Sequence, residues 1–164
     1  MPLTWPQIYR YTDDKRREKA QTTVKVTSLK LGLSKGKKKP VAAAKVFSVD
    51  MYGGKRSTNR YVTKILWLDE KNVFISCSCP DFTFSGAEYR LTKKGSSTIL
   101  YGNGDPPEDR PTVILACKHL LCLYDYLEDR DLIRPVVKYF KKNPQARSRR
   151  PSPQIIDTRI RWRL

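Results

Sequence analysis

Ile75-Ser76-Cys77-Ser78-Cys79-Pro80-Asp81-Phe82 (residues 75–82) and Ala116-Cys117-Lys118-His119-Leu120 (residues 116–120) are the two stretches on which the fold turns. In the first, two cysteines stand two apart at the end of a β-branched and aromatic run that reads as a strand over Asn72–Cys79. Residues i and i+2 of a strand share a face, so both thiols can converge on one point. In the second, a cysteine and the chain's single histidine open a helix predicted over Cys117–Asp129. Leu120, Leu123, Tyr124 and Leu127 give that helix one apolar stripe. Its exposed first-turn amides favour thiolate over thiol, the form a metal ligand must take. Three sulfurs and one imidazole, Cys77, Cys79, Cys117 and His119, suit a tetrahedral Zn²⁺ and leave no position for water or substrate, so the site is expected to be structural.

Plainer readings compete with this one. Cys77 and Cys79 can be small buried hydrophobes, and His119 a satisfied residue at a helix start. A Cys77–Cys79 disulfide would be strained. Cys122, three residues beyond His119, is a substitute fourth ligand if the imidazole points away, or else a core thiol beside the site.

Outward from these stretches the chain alternates in character. Residues 4–19 read as one short polar helix capped by Thr4, with Pro6 in its first turn and Asp13–Lys19 solvated. Strand-like runs follow at Val24–Leu33, Ala42–Tyr52 and Tyr61–Leu68 before Asn72–Cys79. Basic loops at 34–40 and 53–57 separate them, and Asp69-Glu70-Lys71-Asn72 makes a tight turn that pairs the last two as a hairpin. Residues 80–116 are broken by glycines and Pro106-Pro107, leaving at most short strands near Tyr89–Thr92 and Thr98–Tyr101. After the zinc helix, Asp131 is placed to cap a second helix carrying Ile133, Val136, Val137 and Phe140, ended by Asn143-Pro144. The fold class predicted is α+β: a small antiparallel sheet, a zinc-stapled hairpin–helix module, a second C-terminal helix and extended basic arms. The divisions are an N-terminal helical arm (1–20), the sheet with the zinc module (21–143, the module itself 60–130) and a basic C-terminal arm (144–164).

Charge is distributed unevenly. Residues 1–79 carry 17 basic and 6 acidic side chains, residues 80–131 carry 6 and 9, and residues 132–164 carry 10 and 1, within a net charge of +17. Such a balance calls for a polyanionic partner or an acidic protein surface. The candidate contacts are Lys35, Lys37, Lys38 and Lys39 in the first loop and Arg147, Arg149, Arg150, Arg159, Arg161 and Arg163 in the tail, with Tyr52, Tyr61 and Trp162 as aromatics able to stack on bases. The last six residues alternate cation and apolar side chain, as an edge strand or an arm lying on a partner would. The start, Met1-Pro2-Leu3-Thr4-Trp5-Pro6, has neither a charged start nor an apolar run, so no secretory signal is expected. No apolar run approaches a membrane span. Four cysteines in that setting point to a reducing compartment. No catalytic constellation is legible: Cys117 and His119 lack an orienting group, and Gly53-Gly54-Lys55 and Gly102-Asn103-Gly104 lack the length of a phosphate-cradling loop.

Cys-x-Cys, a spacer, then Cys-x-His, with the first pair on a hairpin and the second opening a helix, resembles the SWIM zinc finger over roughly residues 60–130. The spacer, 37 residues (80–116), is longer than the family's usual one. The resemblance implies ligand roles for Cys77, Cys79, Cys117 and His119 alone. The wording Cys-x-Cys-Pro-Asp-Phe is also similar to SWIM-bearing structural proteins of tailed phages. The expectation is therefore a non-enzymatic, zinc-stabilised structural protein that docks through basic arms onto other protein subunits of a large assembly, such as the tail, baseplate or neck of a phage virion. The alternative is a SWIM-type protein binding DNA or RNA. Neither reading involves a membrane or a small-molecule substrate, and the expected location is the virion or, for a non-viral chain, the cytoplasm.

Overall fold

The computed structural model describes residues 4–10, 12–34, 38–84 and 116–147. Within them the fold is α+β. Helices α1 (Trp5–Arg10) and α2 (Asp14–Thr22) lead into strands β1 (Val24–Leu33), β2 (Pro40–Tyr52), β3 (Lys55–Trp67) and β4 (Val73–Cys77). Helices α3 (Pro80–Phe84), α4 (Lys118–Asp129) and α5 (Arg134–Lys142) follow, and a 3₁₀ turn spans Pro144–Ala146. The four strands form one antiparallel sheet in sequential order, so each strand pairs with its chain neighbour.

The pleat sorts side chains between two faces. Ala42, Ala44, Ile65, Trp67, Val73 and Ile75 point to the side where α4 packs, and they join Leu120, Leu121, Leu123 and Leu127 in the main core. Burying each of those leucines is worth about 2 kcal/mol. Val41, Leu66 and Phe74, paired in one row across β2, β3 and β4, form a smaller buried cluster with Leu68 on the opposite side. In β1 the register slips between Val26 and Ser28, leaving Thr27 as a bulge whose hydroxyl donates to the Lys45 carbonyl (3.1 Å). The extra residue reverses the alternation, so Val26 and Leu29, three apart, both pack on the main core.

The β2–β3 turn is tighter than the sequence reading allowed. Gly53 and Gly54, at φ +54° and +77°, close the β2–β3 hairpin in two residues, with Tyr52 paired to Lys55. Lys55–Arg60, expected to begin with a basic loop, therefore belong to β3, and the hairpin runs past the ends of both outer strands. Between β3 and β4, which pair as the expected hairpin, the Asp69 carboxylate closes the turn by accepting from the amides of Lys71 (2.8 Å) and Asn72 (2.7 Å).

The expected helix over 4–19 is two helices. Asp13 breaks it, standing extended and accepting the Arg16 amide (3.0 Å) as the N-cap of α2. Neither helix is an arm. Thr4 bridges Asn72 beside β4, Trp5 and Ile8 are buried, and Trp5 stacks on Tyr124 of α4 with ring centroids 4.2 Å apart. At the far end of α4, Asp131 is not the cap of the next helix. It sits at φ +55° just past Arg130, where its amide donates to Glu128 and that of Leu132 to Leu127, a Schellman stop with aspartate in the usual glycine place. Ile133 occupies the N-cap position of α5 instead. The chain stays packed beyond the predicted start of the C-terminal arm, since Ala146 is buried. Tyr89–Thr92 and Thr98–Tyr101 lie outside the described residues. No helix among those described is long and apolar enough to cross a membrane.

The hairpin turn gives a direct test. Gly54→Val forces a β-branched residue into left-handed backbone and is expected to cost about 1–2 kcal/mol, read as a lower urea midpoint with an unchanged slope.

Candidate metal centre

Cys77 ends β4 opposite Thr63, and Ser78 stays latched to β3 through its amide to the Val62 carbonyl (3.1 Å). Cys79 lies beyond the strand, which ends at Cys77, and not on it as the i, i+2 argument expected. The chain bends there into α3, a five-residue helix that the sequence reading passed over although Pro80 at its first position and Asp81 behind it suit a helix start. Cys117, extended at φ −82° and ψ 164°, is the N-cap of α4, and His119 lies in its first turn. One donor atom from each of Cys77, Cys79, Cys117 and His119 falls within 4.8 Å of the other three, and all four residues are buried. The cluster could hold a metal ion.

The imidazole carries the clearest sign of that use. His119 is 2 % exposed, and its Nε2 lies 2.9 Å from Ser48 Oγ. The Ser48 hydroxyl donates to Asp50 Oδ1 (2.9 Å), so Ser48 has a lone pair, not a proton, to offer the ring. Nε2 is therefore the protonated nitrogen, and Nδ1 keeps a free lone pair. Nδ1 is buried without a hydrogen-bond partner, a costly arrangement that a bound cation removes. A carboxylate behind a histidine ligand, reached here through a serine, fixes the ring and its tautomer.

Backbone amides reach two of the three sulfurs. The Phe82 amide donates to Cys79 Sγ (3.3 Å) and the Cys79 amide to Cys77 Sγ (3.5 Å). Burial pushes the Cys77 and Cys117 thiols well up, whereas hydrogen bonds from Cys117 and Cys77 hold the Cys79 thiol far below its ordinary value. A cleft of about 220 Å³ lined by Lys15, Arg16, Lys19, Asp81 and Lys118 leads to Cys79 and His119 from outside.

Two clamps that sequence reasoning missed hold the halves in place. Arg16 forks onto Asp81 (Nη2–Oδ1 2.6 Å, Nε–Oδ2 2.9 Å) and also reaches Asp13 (2.6 Å), tying α2 to the turn just after Cys79. Burial lowers the Arg16 pKa, but the two carboxylates outweigh it and the net shift is upward. Lys118, between two of the donors, pairs with Asp50 (2.7 Å) and donates to the Val49 carbonyl (3.1 Å) and Thr23 Oγ1 (3.3 Å). Asp50 also accepts from Asn59 (2.8 Å) and Tyr61 (3.2 Å). Only the partners' closeness in the fold reveals these contacts; Arg16 and Asp81 are 65 positions apart.

Other expected residues fall elsewhere. Cys122 points away from the cluster toward the Val24 carbonyl (3.6 Å), and burial, then the Asp125 charge, pushes its thiol up to about 11, as suits a protonated core thiol. Tyr61 is not free to stack on a base, because it tilts over His119 at 4.6 Å between centroids and donates to Asp50. Lys39 offers no surface charge: it is fully buried, with Nζ donating to the Ala146 carbonyl. Lys38 is exposed, and Arg147 is engaged by Glu70. Lys35, Lys37, Arg149, Arg150, Arg159, Arg161, Arg163 and Trp162 lie outside the described residues.

No family model, no curated protein and no solved structure matches this chain.

Two outcomes follow from the geometry. Cys122→Ala is expected to leave metal uptake unchanged in a cobalt(II) absorption titration, while Cys117→Ser abolishes the sulfur-to-metal band. For Asp50, burial would raise the pKa, but hydrogen bonds from Lys118, Asn59 and Ser48 outweigh it and the folded value is lowered from 3.8. Its stabilising contribution is therefore complete above the ordinary carboxylate value and is lost as pH falls through the lower folded one. In an acid-unfolding series Asp50→Asn should flatten the decline in that window, and an unchanged profile would refute the assignment.

Proposed function

We propose that the cluster holds one Zn²⁺ as a structural staple and that the chain is a non-enzymatic binding protein built around it, a SWIM-type module in the manner of its Cys-x-Cys…Cys-x-His pattern. The observation that carries this reading is the orphaned, buried Nδ1 of His119 among three cysteine sulfurs. Three sulfurs and an imidazole are a donor set that Zn²⁺ accepts in tetrahedral geometry, with Zn–S near ~2.3 Å. Four protein ligands leave the ion no open position, so the role is to join the end of β4 to the start of α4.

On such a scaffold the chain acts through its cationic surface. The first partner class is the subunits of a large assembly such as a phage virion, supported by the 10 basic and 1 acidic side chains of residues 132–164. The second is nucleic acid, supported by the way the folded part gathers exposed cations on the sheet face turned away from α4.

Elemental analysis of reduced, full-length protein should give one zinc per chain. Chelation or Cys79→Ser should lower the melting midpoint by about 10 °C or more, the size of shift that ~3–4 kcal/mol produces in a chain of this length. Because zinc must displace the protons on Cys77 and Cys117, its affinity should rise with pH. Metal-free protein, or a melt indifferent to chelator, would sink the proposal.

A further inference from the structure

The sheet face turned away from α4 has no helix of the described residues upon it at the hairpin end, and its composition is one-sided. The register sets its members: Lys25 pairs with Phe47 and Phe47 with Arg60, Met51 pairs with Arg56, Ser28 with Lys45 and Lys30 with Ala43. Lys25, Lys30, Lys45, Arg56 and Arg60 are all exposed. None takes part in an ion pair among the described residues. No strand position on this face is acidic. The carboxylates of the described residues lie on the helices and the turns beside them, at the β3–β4 turn or, as Asp50, on the helix side of the sheet.

The bulge at Thr27 makes this possible. Lys25 and Lys30 are an odd number of residues apart and would face opposite ways in a regular strand, but the slipped register brings both to the open face. At the centre lies Phe47, partly buried, with Lys25 beside it on one neighbouring strand and Arg60 on the other. Adjacent strands are ~4.8 Å apart, so these two cations flank the ring at a spacing of roughly 10 Å.

Resting on the binding reading above, we infer that this face, Lys25, Lys30, Lys45, Arg56 and Arg60 around Phe47, binds a single-stranded polynucleotide, with phosphates on the cations and a base stacked on Phe47. A sheet with a ring set flush among cations matches a strand that offers both phosphates and uncovered bases. A duplex hides its bases from such a ring. The surface lies outside the zinc-binding residues and does not depend on the identity of the metal.

The test is fluorescence anisotropy of full-length protein with labelled dT20 and rU20, a 20-base-pair duplex, and vesicles of anionic and neutral lipid. The triple variant Lys25→Gln, Lys45→Gln, Arg60→Gln should weaken single-strand binding by about tenfold or more and reduce the slope of log affinity on log salt by about two. Phe47→Ala should weaken it at least about fivefold with the slope unchanged. Lys138→Gln with Lys142→Gln, exposed on α5, should change nothing. A variant lacking the tail arginines Arg149, Arg150, Arg159, Arg161 and Arg163 should keep the part of the binding that depends on Phe47. Zinc content and melting midpoint are measured on every variant, so that failure of the staple is told apart from failure of the face. Unchanged single-strand affinity in a folded, zinc-loaded triple variant overturns the inference. So does tighter binding to duplex or to anionic vesicles that depends on the same three residues.

Discussion

The orientation of one imidazole is the constraint on which the rest depends. His119 is turned so that Nε2 meets Ser48, Nδ1 is left buried without a hydrogen-bond partner, and the ring takes its place in the cluster with three sulfurs. That orientation requires β2 and α4 to be in contact, and Lys118, the residue just before, makes the same contact through Asp50. Helix α4 is therefore seated on the sheet twice over, by leucines along its stripe and by a polar anchor at its first turn. The buried polar residues Ser48, Asp50 and Thr63 lie near this anchor, where an otherwise aliphatic interior turns hydrophilic. A network of this kind stabilises only when each member is satisfied. A cation at Nδ1 completes it.

The second half of the site is held by different means. Cys77 is positioned by the β3–β4 ladder, and Cys79 by a bend that Arg16 ties down from α2 through Asp81. The first helices of the chain thus contribute to a site whose donors all lie after residue 76. Their apolar contacts, Trp5 on Tyr124 and Ile8 and Ala20 in the main core, serve the same packing.

Much of this was legible from residue types and their spacing. The four donors, the α+β class, the β3–β4 hairpin and the leucine stripe of α4 follow from local rules whose period or ligand chemistry is fixed. What escaped depended on contacts between distant positions. Lys39 reads as one lysine in a basic run, yet Ala146, 107 positions on, accepts its ammonium in the interior. Tyr61 reads as an exposed aromatic, yet its partners are His119 and Asp50. The single helix over 4–19 failed for a local reason that the charges concealed: Asp13 is a stronger cap than a helix residue. In β1 the bulge was invisible because Thr27-Ser28 carries no glycine to mark it. The resemblance to a SWIM finger concerns the donors and their order, and the sheet that carries them was predicted from pattern alone.

The bend at Cys79 and the N-cap at Cys117 have a topological consequence. Because their sulfurs lie within one small cluster, the 37-residue stretch between them begins and ends at the same spot. A detour anchored at both ends grows at little thermodynamic penalty, since doubling its length adds only ~0.6 kcal/mol of closure entropy. The cluster therefore fixes only where that stretch begins and ends, and a change in its length would not by itself move the four donors apart.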